Sequence, residues 1–172
     1  MESLYESLLD NFDTLNSNID REMVKKFLKD NYDGKYTISK TPNKDGLYEV
    51  SSKSDIIVKD KNIQSLTNNL FIWKKIGGYF NCRYCESLKS LKGAPEEVYN
   101  YFDCSYCKSL TSLKGAPKMV GGDCNCDSCE SLTSLEGAPK EVRGVFDCAA
   151  CKNKFTKADV TTISNVKGAI YV

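Results

Sequence analysis

From Phe80 onward, apolar and polar positions recur at a fixed spacing. One copy carries Phe80, Cys82, Cys85, Leu88, Leu91, Gly93-Ala94-Pro95 and Val98. The next, 22 residues on, carries Phe102, Cys104, Cys107, Leu110, Leu113, Gly115-Ala116-Pro117 and Val120. A third has Cys124, Cys126, Cys129, Leu132, Leu135, Gly137-Ala138-Pro139 and Val142, and a fourth opens with Phe146, Cys148 and Cys151 before departing. Self-similarity at a fixed period marks a solenoid, in which units too small to bury their own apolar faces stack into a shared core. Within a copy, Val98-x-Asn100-x-Phe102-x-Cys104 alternates like a strand with one buried face. Leucines three apart add a second inward arc, and Gly-Ala-Pro marks a turn. Gly78, Asn100, Gly122, Gly144 and Gly168 share one position. These residue types accept positive φ most readily, so a backbone bend is expected there.

The same register reaches past the visible copies. Ile63, Leu66, Ile76 and Phe80 have the spacing of Cys85, Leu88, Val98 and Phe102, giving a degenerate first rung. Val166-Lys-Gly168-Ala-Ile170-Tyr-Val172 matches Val142 to Cys148 position for position. Between them, residues 153–166 with Ala158, Val160 and Ile163 predict a short capping helix before a last edge strand. At the amino end, Leu4, Leu8, Leu9, Phe12 and Leu15 have helical spacing. A second helix is expected from Asp20, a good N-cap, presenting Met23, Val24, Phe27 and Leu28. Residues 35–39 and 46–50 flank a Pro-Asn-Lys-Asp-Gly turn and read as a hairpin. Residues 56–58 should join the repeat sheet. The expected fold is therefore α+β: a β-solenoid over residues 56–151, an N-terminal cap of two helices and a hairpin over 1–55, and a C-terminal cap over 152–172. The first helix, set off by Asn16-Ser17-Asn18, is either part of that cap or a separate docking or packaging peptide.

The pattern F-x-C-x-x-C-x-S-L-x-S-L-x-G-A-P-x-x-V resembles the leucine-rich repeats of many bacteriophage and prophage proteins. It is also similar in layout to bacterial effector repeats of the type L-x-x-L-P-x-L-P-x-x-L-x-x-L-x-V-x-x-N. The resemblance spans residues 76–151, with weaker agreement over 56–75 and 164–172, and residues 3–9 resemble the start of some phage repeat proteins. It implies a leucine-rich-repeat-like solenoid with Phe102 and Cys104 at inward strand positions. Cys107 takes the place filled elsewhere by an Asn or Cys whose side chain caps backbone groups at the bend. This chain departs from common repeats by an inserted residue on each side of the strand. The family implies interaction modules, and for a phage protein a bacterial host or defence factor as partner.

Charge narrows the partners. The 24 basic and 23 acidic side chains nearly cancel, so neither nucleic acid nor a membrane surface is expected. No apolar run approaches the roughly 20 residues that span a bilayer. The acidic start lacks the basic and apolar stretches of a secretion signal, so a cytoplasmic location is expected. The absence of histidine removes Ser-His-Asp and Cys-His nucleophile pairs and the commonest general base. With no phosphate loop or activated nucleophile either, the expectation is a protein that is not an enzyme and needs no cofactor.

The nine cysteines admit two readings. Four C-x-x-C pairs, with 18 residues between successive pairs, suit zinc on spacing alone. Yet Val172 takes the first cysteine position in the last rung, Ile63 the second in the first rung, and Cys124 stands where other copies have Phe. Such exchanges suit apolar packing, where free cysteine behaves as a small hydrophobe. Core ladders with no metal are therefore favoured, a zinc-binding structural protein being the alternative. Strand spacing would allow disulfides, but a reducing compartment disfavours them.

If Phe80 and Cys82 point inward, Tyr79, Asn81 and Arg83 point outward. The equivalent sets are Tyr101, Asp103 and Ser105; Asp123, Asn125 and Asp127; and Val145, Asp147 and Ala149. Stacking places these in columns on one sheet face, with four aspartates against one arginine, which suits a basic or amine-bearing protein partner. The plainer reading is a solvated face, and a column of Asp and Asn could also hold calcium weakly. The expected function is a non-enzymatic protein-interaction module, a virion or packaged cargo protein being a further possibility. The chain is expected to be a monomer or a dimer through its last edge strand.

Overall fold

In the computed structural model, residues 20–172 are described; the helix expected over residues 2–15 lies outside them. The described chain begins with α1 (Arg21–Asn31), whose N-cap Asp20 accepts a hydrogen bond from the Met23 N–H at 2.7 Å. Val24 and Leu28, one turn apart, are fully buried and Phe27 packs beside them. Met23 was expected on that stripe but is 45% exposed. It lies on the flank of the face set by positions 24, 27 and 28.

Two strands follow, β1 (Tyr32–Gly34) and β2 (Thr37–Ile38), then β3 (Tyr48–Ser52). β2 and β3 form the expected antiparallel hairpin, with Ile38 opposite Val50. Asn43 Oδ1 accepts the N–H groups of Asp45 and Leu47, and Gly46 takes φ +75°, which closes the turn. β3 also pairs in parallel with β5 (Phe71–Ile76), so the parallel pairing of this sheet starts at Tyr48. β4 (Ile56–Val58) lies antiparallel to β1 on one edge and parallel to β6 (Phe80–Asn81) on the other.

From there each rung contributes two short strands. These are β7 (Glu97–Val98) and β8 (Phe102–Asp103), β9 (Met119–Val120) and β10 (Cys124–Asn125), then β11 (Glu141–Val142) and β12 (Phe146–Asp147). The chain closes with α2 (Lys157–Ile163), β13 (Asn165–Val166) and β14 (Ile170–Tyr171). Two seven-stranded sheets result, ordered β1-β4-β6-β8-β10-β12-β14 and β13-β11-β9-β7-β5-β3-β2. The architecture is a β-solenoid with short helices, and in-register parallel pairs such as Phe80 with Phe102 and Val98 with Val120 carry the 22-residue period. The expected capping helix is α2, held by a capping box between Thr156 and Asp159. The expected last strand is β14, with Ile170 paired to Phe146.

The alternating segment from Val98 to Cys104 is not one strand. β7 and β8 belong to different sheets, and the chain bends between them at Tyr99 and Asn100. The bend therefore falls where Gly and Asn recur, but for another reason than positive φ, which none of Gly78, Gly122, Gly144 and Gly168 adopts. Successive rungs approach closely at the glycine copies, where a Cβ on Gly168 would lie 2.5 Å from the Gly144 carbonyl oxygen, while Asn100 carries a side chain at the same position.

Inside, side chains stack by column. Phe80, Phe102, Cys124 and Phe146 form one, and Val98, Val120 and Val142 another. Both leucine positions, Leu88 with Leu110 and Leu132 and Leu91 with Leu113 and Leu135, are buried as well. The Phe80 and Phe102 rings stack at 6.1 Å. At the amino end Trp73 meets Tyr32, Phe71 and Phe80 at 5.3, 5.5 and 6.1 Å, and the Tyr32 hydroxyl donates to the Leu66 carbonyl. Outside, Lys74–Glu96, Lys75–Glu97, Lys108–Glu86 and Lys114–Glu136 pair across adjacent rungs at 2.8 to 3.3 Å. Exposed pairs of this kind each add little stability.

Candidate binding face

The cysteine pairs sit at the corner that follows β6, β8, β10 and β12. Eight of the nine thiols are buried, Cys151 being half-buried, and all are free. The second cysteine of a pair bonds backward by one rung: Cys107 Sγ donates to Cys82 O at 3.2 Å, Cys129 to Cys104 O at 3.3 Å, and Cys151 to Cys126 O at 3.2 Å. Cys107 thus satisfies a buried backbone acceptor at the bend, the role its position suggested. Burial pushes the Cys85 thiol up to about 12 and Cys151 up to about 11. In the Cys82–Cys107 pair, the hydrogen bond from Cys82 lets Cys107 ionise first and holds Cys82 well above the usual thiol range. Among the described residues, no three Cys, Asp or Glu side chains gather into a group that could hold a metal ion. Cys126 likewise donates to the Asp147 carbonyl at 3.2 Å, so thiol-to-carbonyl bonds recur along the ladder.

The outward column beside them is partly structural too. Asn81 Oδ1 accepts the Arg83 N–H at 2.9 Å, Asp103 Oδ1 that of Ser105 at 2.8 Å, Asn125 Oδ1 that of Asp127 at 2.8 Å, and Asp147 Oδ1 that of Ala149 at 3.0 Å. Four successive rungs therefore leave the strand through the same Asx turn, and Asn and Asp exchange freely because the shared Oδ1 does the bonding. Asp123 reaches forward instead, accepting the Val145 N–H at 2.8 Å, as Asp55 does for Tyr79 at 3.0 Å. Asp127 accepts the Ser128 hydroxyl at 2.9 Å.

Of the nine candidate residues, Tyr79, Asn81, Arg83, Tyr101, Asn125, Asp127 and Asp147 are half-buried on this face and Asp123 is exposed. Asp103 is not a solvent-facing group: it is 3% exposed, takes a second bond from the Ser105 hydroxyl at 2.6 Å, and accepts from the Tyr101 hydroxyl at 3.3 Å. Ser105 is buried with it. Asn125 Nδ2 in turn donates to the Tyr101 oxygen at 3.4 Å, so Tyr101 links two rungs, and burial pushes its hydroxyl above the usual tyrosine range.

Two residues that sequence reading passed over complete the surface. Tyr84 and Tyr106 lie between the cysteines of their pairs, with ring centroids 4.8 Å apart. The Arg83 guanidinium sits over both, 4.6 Å from Tyr84 and 4.9 Å from Tyr106, which is cation–π range. Its buried Nε has no hydrogen-bond partner among the described residues. Tyr84 and Tyr106 hold φ of 63° and 58°, and Ser128 and Ala150 hold 56° and 47° at the same place in later rungs. The turn thus demands left-handed backbone whatever the residue, at a cost of about 1–2 kcal/mol to a non-glycine. Their one signal in the sequence is a tyrosine repeated at the rung period, lost when Ser128 and Ala150 follow.

No family model, curated protein or solved structure matches this chain, so the geometry of the face is what bears on function.

Proposed function

We propose that this protein is a non-enzymatic interaction module whose contact surface is the outer face of β6, β8, β10 and β12 with the corner beside it. The observation that carries this reading is the Arg83–Tyr84–Tyr106 cluster. Ser128 and Ala150 occupy the same backbone conformation, so the turn has no need of tyrosine, and yet Tyr84 is 43% exposed against the tilted ring of Tyr106. Rigid tyrosines and an arginine held in place are the residues that concentrate binding energy at protein interfaces. The buried hydrogen bonds of Asp103 and the Asx turns fix the base on which they stand, so little side-chain freedom remains to be lost on binding. The resemblance to phage repeats supports a bacterial cytoplasmic partner, by analogy alone.

The test is capture from bacterial lysate with the wild type and with a Tyr84→Ser, Tyr106→Ala, Arg83→Ala variant, whose tyrosine replacements copy rungs the fold already contains. A captured protein should bind the purified wild type and lose at least about tenfold in affinity for the variant. Equal affinity for both would remove this face from consideration.

A further inference from the structure

We infer that the same face is self-complementary and takes a second copy of this chain, laid face to face with the rung order reversed; this rests on the reading that the face is a contact surface. Side-chain hydrogen-bond donors cluster on the first two of its rungs: Asn81, Arg83 and Tyr101. Carboxylates cluster on the last two: Asp123, Asp127 and Asp147. Each carboxylate is held by one local hydrogen bond, from the Val145 N–H, the Ser128 hydroxyl and the Ala149 N–H respectively. Among the described residues, the seven ion pairs within 4.0 Å involve neither these carboxylates nor Arg83. The solvent-reaching carboxylates of the face thus lie at one end of the solenoid axis and its arginine at the other, the Asp103 carboxylate being buried on the second rung.

The parallel register fixes what a two-fold axis along the strand direction would bring together. The first rung meets the fourth and the second meets the third, each at the same place along the strand. Tyr79 then faces Val145, Asn81 faces Asp147 and Tyr101 faces Asp123, while Asp103, at the position opposite Asn125, is buried beneath the face. Arg83 comes opposite Ala149, flanked by Asp127 and Asp147. Asn81 against Asp147, and Arg83 against Asp127 and Asp147, set donors against acceptors, and two-fold symmetry makes each contact twice. A two-fold axis along the solenoid would lay the third rung on itself, opposing Asp123 and Asp127, and like charge selects against it. Four rungs at about 4.8 Å spacing, each about 10 Å wide, present a few hundred Å². That is below the roughly 800 Å² per partner of a stable interface, so the dimer is weak and reversible.

Sedimentation equilibrium of the full chain under reducing conditions, from about 0.01 to 1 mM, tests this. The wild type should pass from monomer to dimer and stop there, with association weakened by salt. Arg83→Glu alone, and Asp127→Arg with Asp147→Arg alone, should each weaken it by about tenfold or more. Mixing the two variants should restore a dimer, because each reversed charge then meets its opposite on both sides of the axis. That restoration also shows that both variants fold. A wild type that stays monomeric throughout, grows beyond a dimer, or dimerises unaffected by the reversals overturns the inference, as does failure of the mixture to recover. A monomeric wild type that still captures a partner through Arg83, Tyr84 and Tyr106 would sink self-association alone and leave the binding face standing.

Discussion

Cys107 gives its thiol proton to the backbone carbonyl of Cys82, 3.2 Å away and one rung back. The bond makes the two cysteines of the Cys104–Cys107 pair unequal: Cys107 serves the backbone one rung back, while Cys104 fills the core. Cys107→Val should therefore cost about 0.5–1.5 kcal/mol more than Cys104→Val through the hydrogen bond it removes, the Cys85 N–H still serving the Cys82 carbonyl at 3.3 Å. Cys104→Val, which copies the terminal Val172, should stay within about 1.5 kcal/mol of wild type. Urea unfolding followed by the emission of the buried Trp73 would measure both; equal losses would remove the distinction.

The thiols also set an alkaline limit. Burial raises Cys85 to about 12, from about 8.5 for a free thiol. The folded state then keeps a proton that the unfolded chain releases. The contribution is intact below about 8.5 and declines as pH rises from there to about 12, by about 1.4 kcal/mol per unit for such a thiol. Thermal midpoints measured in reducing buffer should fall steadily above pH 8.5, and Cys85→Val should flatten the slope. An unchanged slope would mean that Cys85 is not held protonated.

Left-handed backbone at Ser128 and Ala150 can be relieved without touching the tyrosine rungs. Ser128→Gly and Ala150→Gly should each stabilise by about 0.5–1 kcal/mol, the relief of about 1–2 kcal/mol less the added freedom of glycine in the unfolded chain. Gly168→Ala should act oppositely, by about 1–3 kcal/mol, since its Cβ meets the Gly144 carbonyl oxygen. Differential scanning calorimetry of the three variants checks the signs. Stabilisation by the alanine would refute the close-approach account.

At the carboxyl end, Thr156 accepts the Asp159 N–H at 3.2 Å and Asp159 accepts the Thr156 N–H at 2.7 Å. Thr156→Ala should cost about 0.5–2 kcal/mol. Because rungs bond only to neighbours, the loss should appear first as faster amide exchange in β13 and β14, with Trp73 emission unchanged. Uniform acceleration through all rungs would contradict nearest-neighbour coupling.

The parts that sequence reading recovered share a cause. Ile63 and Val172 stand in for cysteines at the ends, and a position that tolerates Cys, Ile and Val announces burial whatever the chemistry of its commonest residue. That logic located the rungs, the short helix after residue 153 and the edge strand. Three features escaped it. The Val98–Cys104 alternation is compatible with one strand or with two on either side of a bend, and only the sheet pairing separates them. Asn81, Asp103, Asn125 and Asp147 looked like a charge pattern because two of the four are acidic, whereas the working atom is an Oδ1 they share. Tyr84 and Tyr106 lie in a turn whose backbone disfavours bulky side chains, so no propensity points to them.

The two sheets end differently, and the difference bears on inheritance. At the amino end β1 and β2 run antiparallel to their neighbours, while every later pairing is parallel, with a register shift between β3 and β5 alone. An in-frame duplication or loss of one 22-residue unit would leave both ends untouched and every remaining pair matched. The extent of the outer face can thus change in whole steps of one 22-residue unit. Each step would shift which residues lie opposite one another across a reversed copy, so homologues differing by one rung should fail to recognise each other while folding equally well.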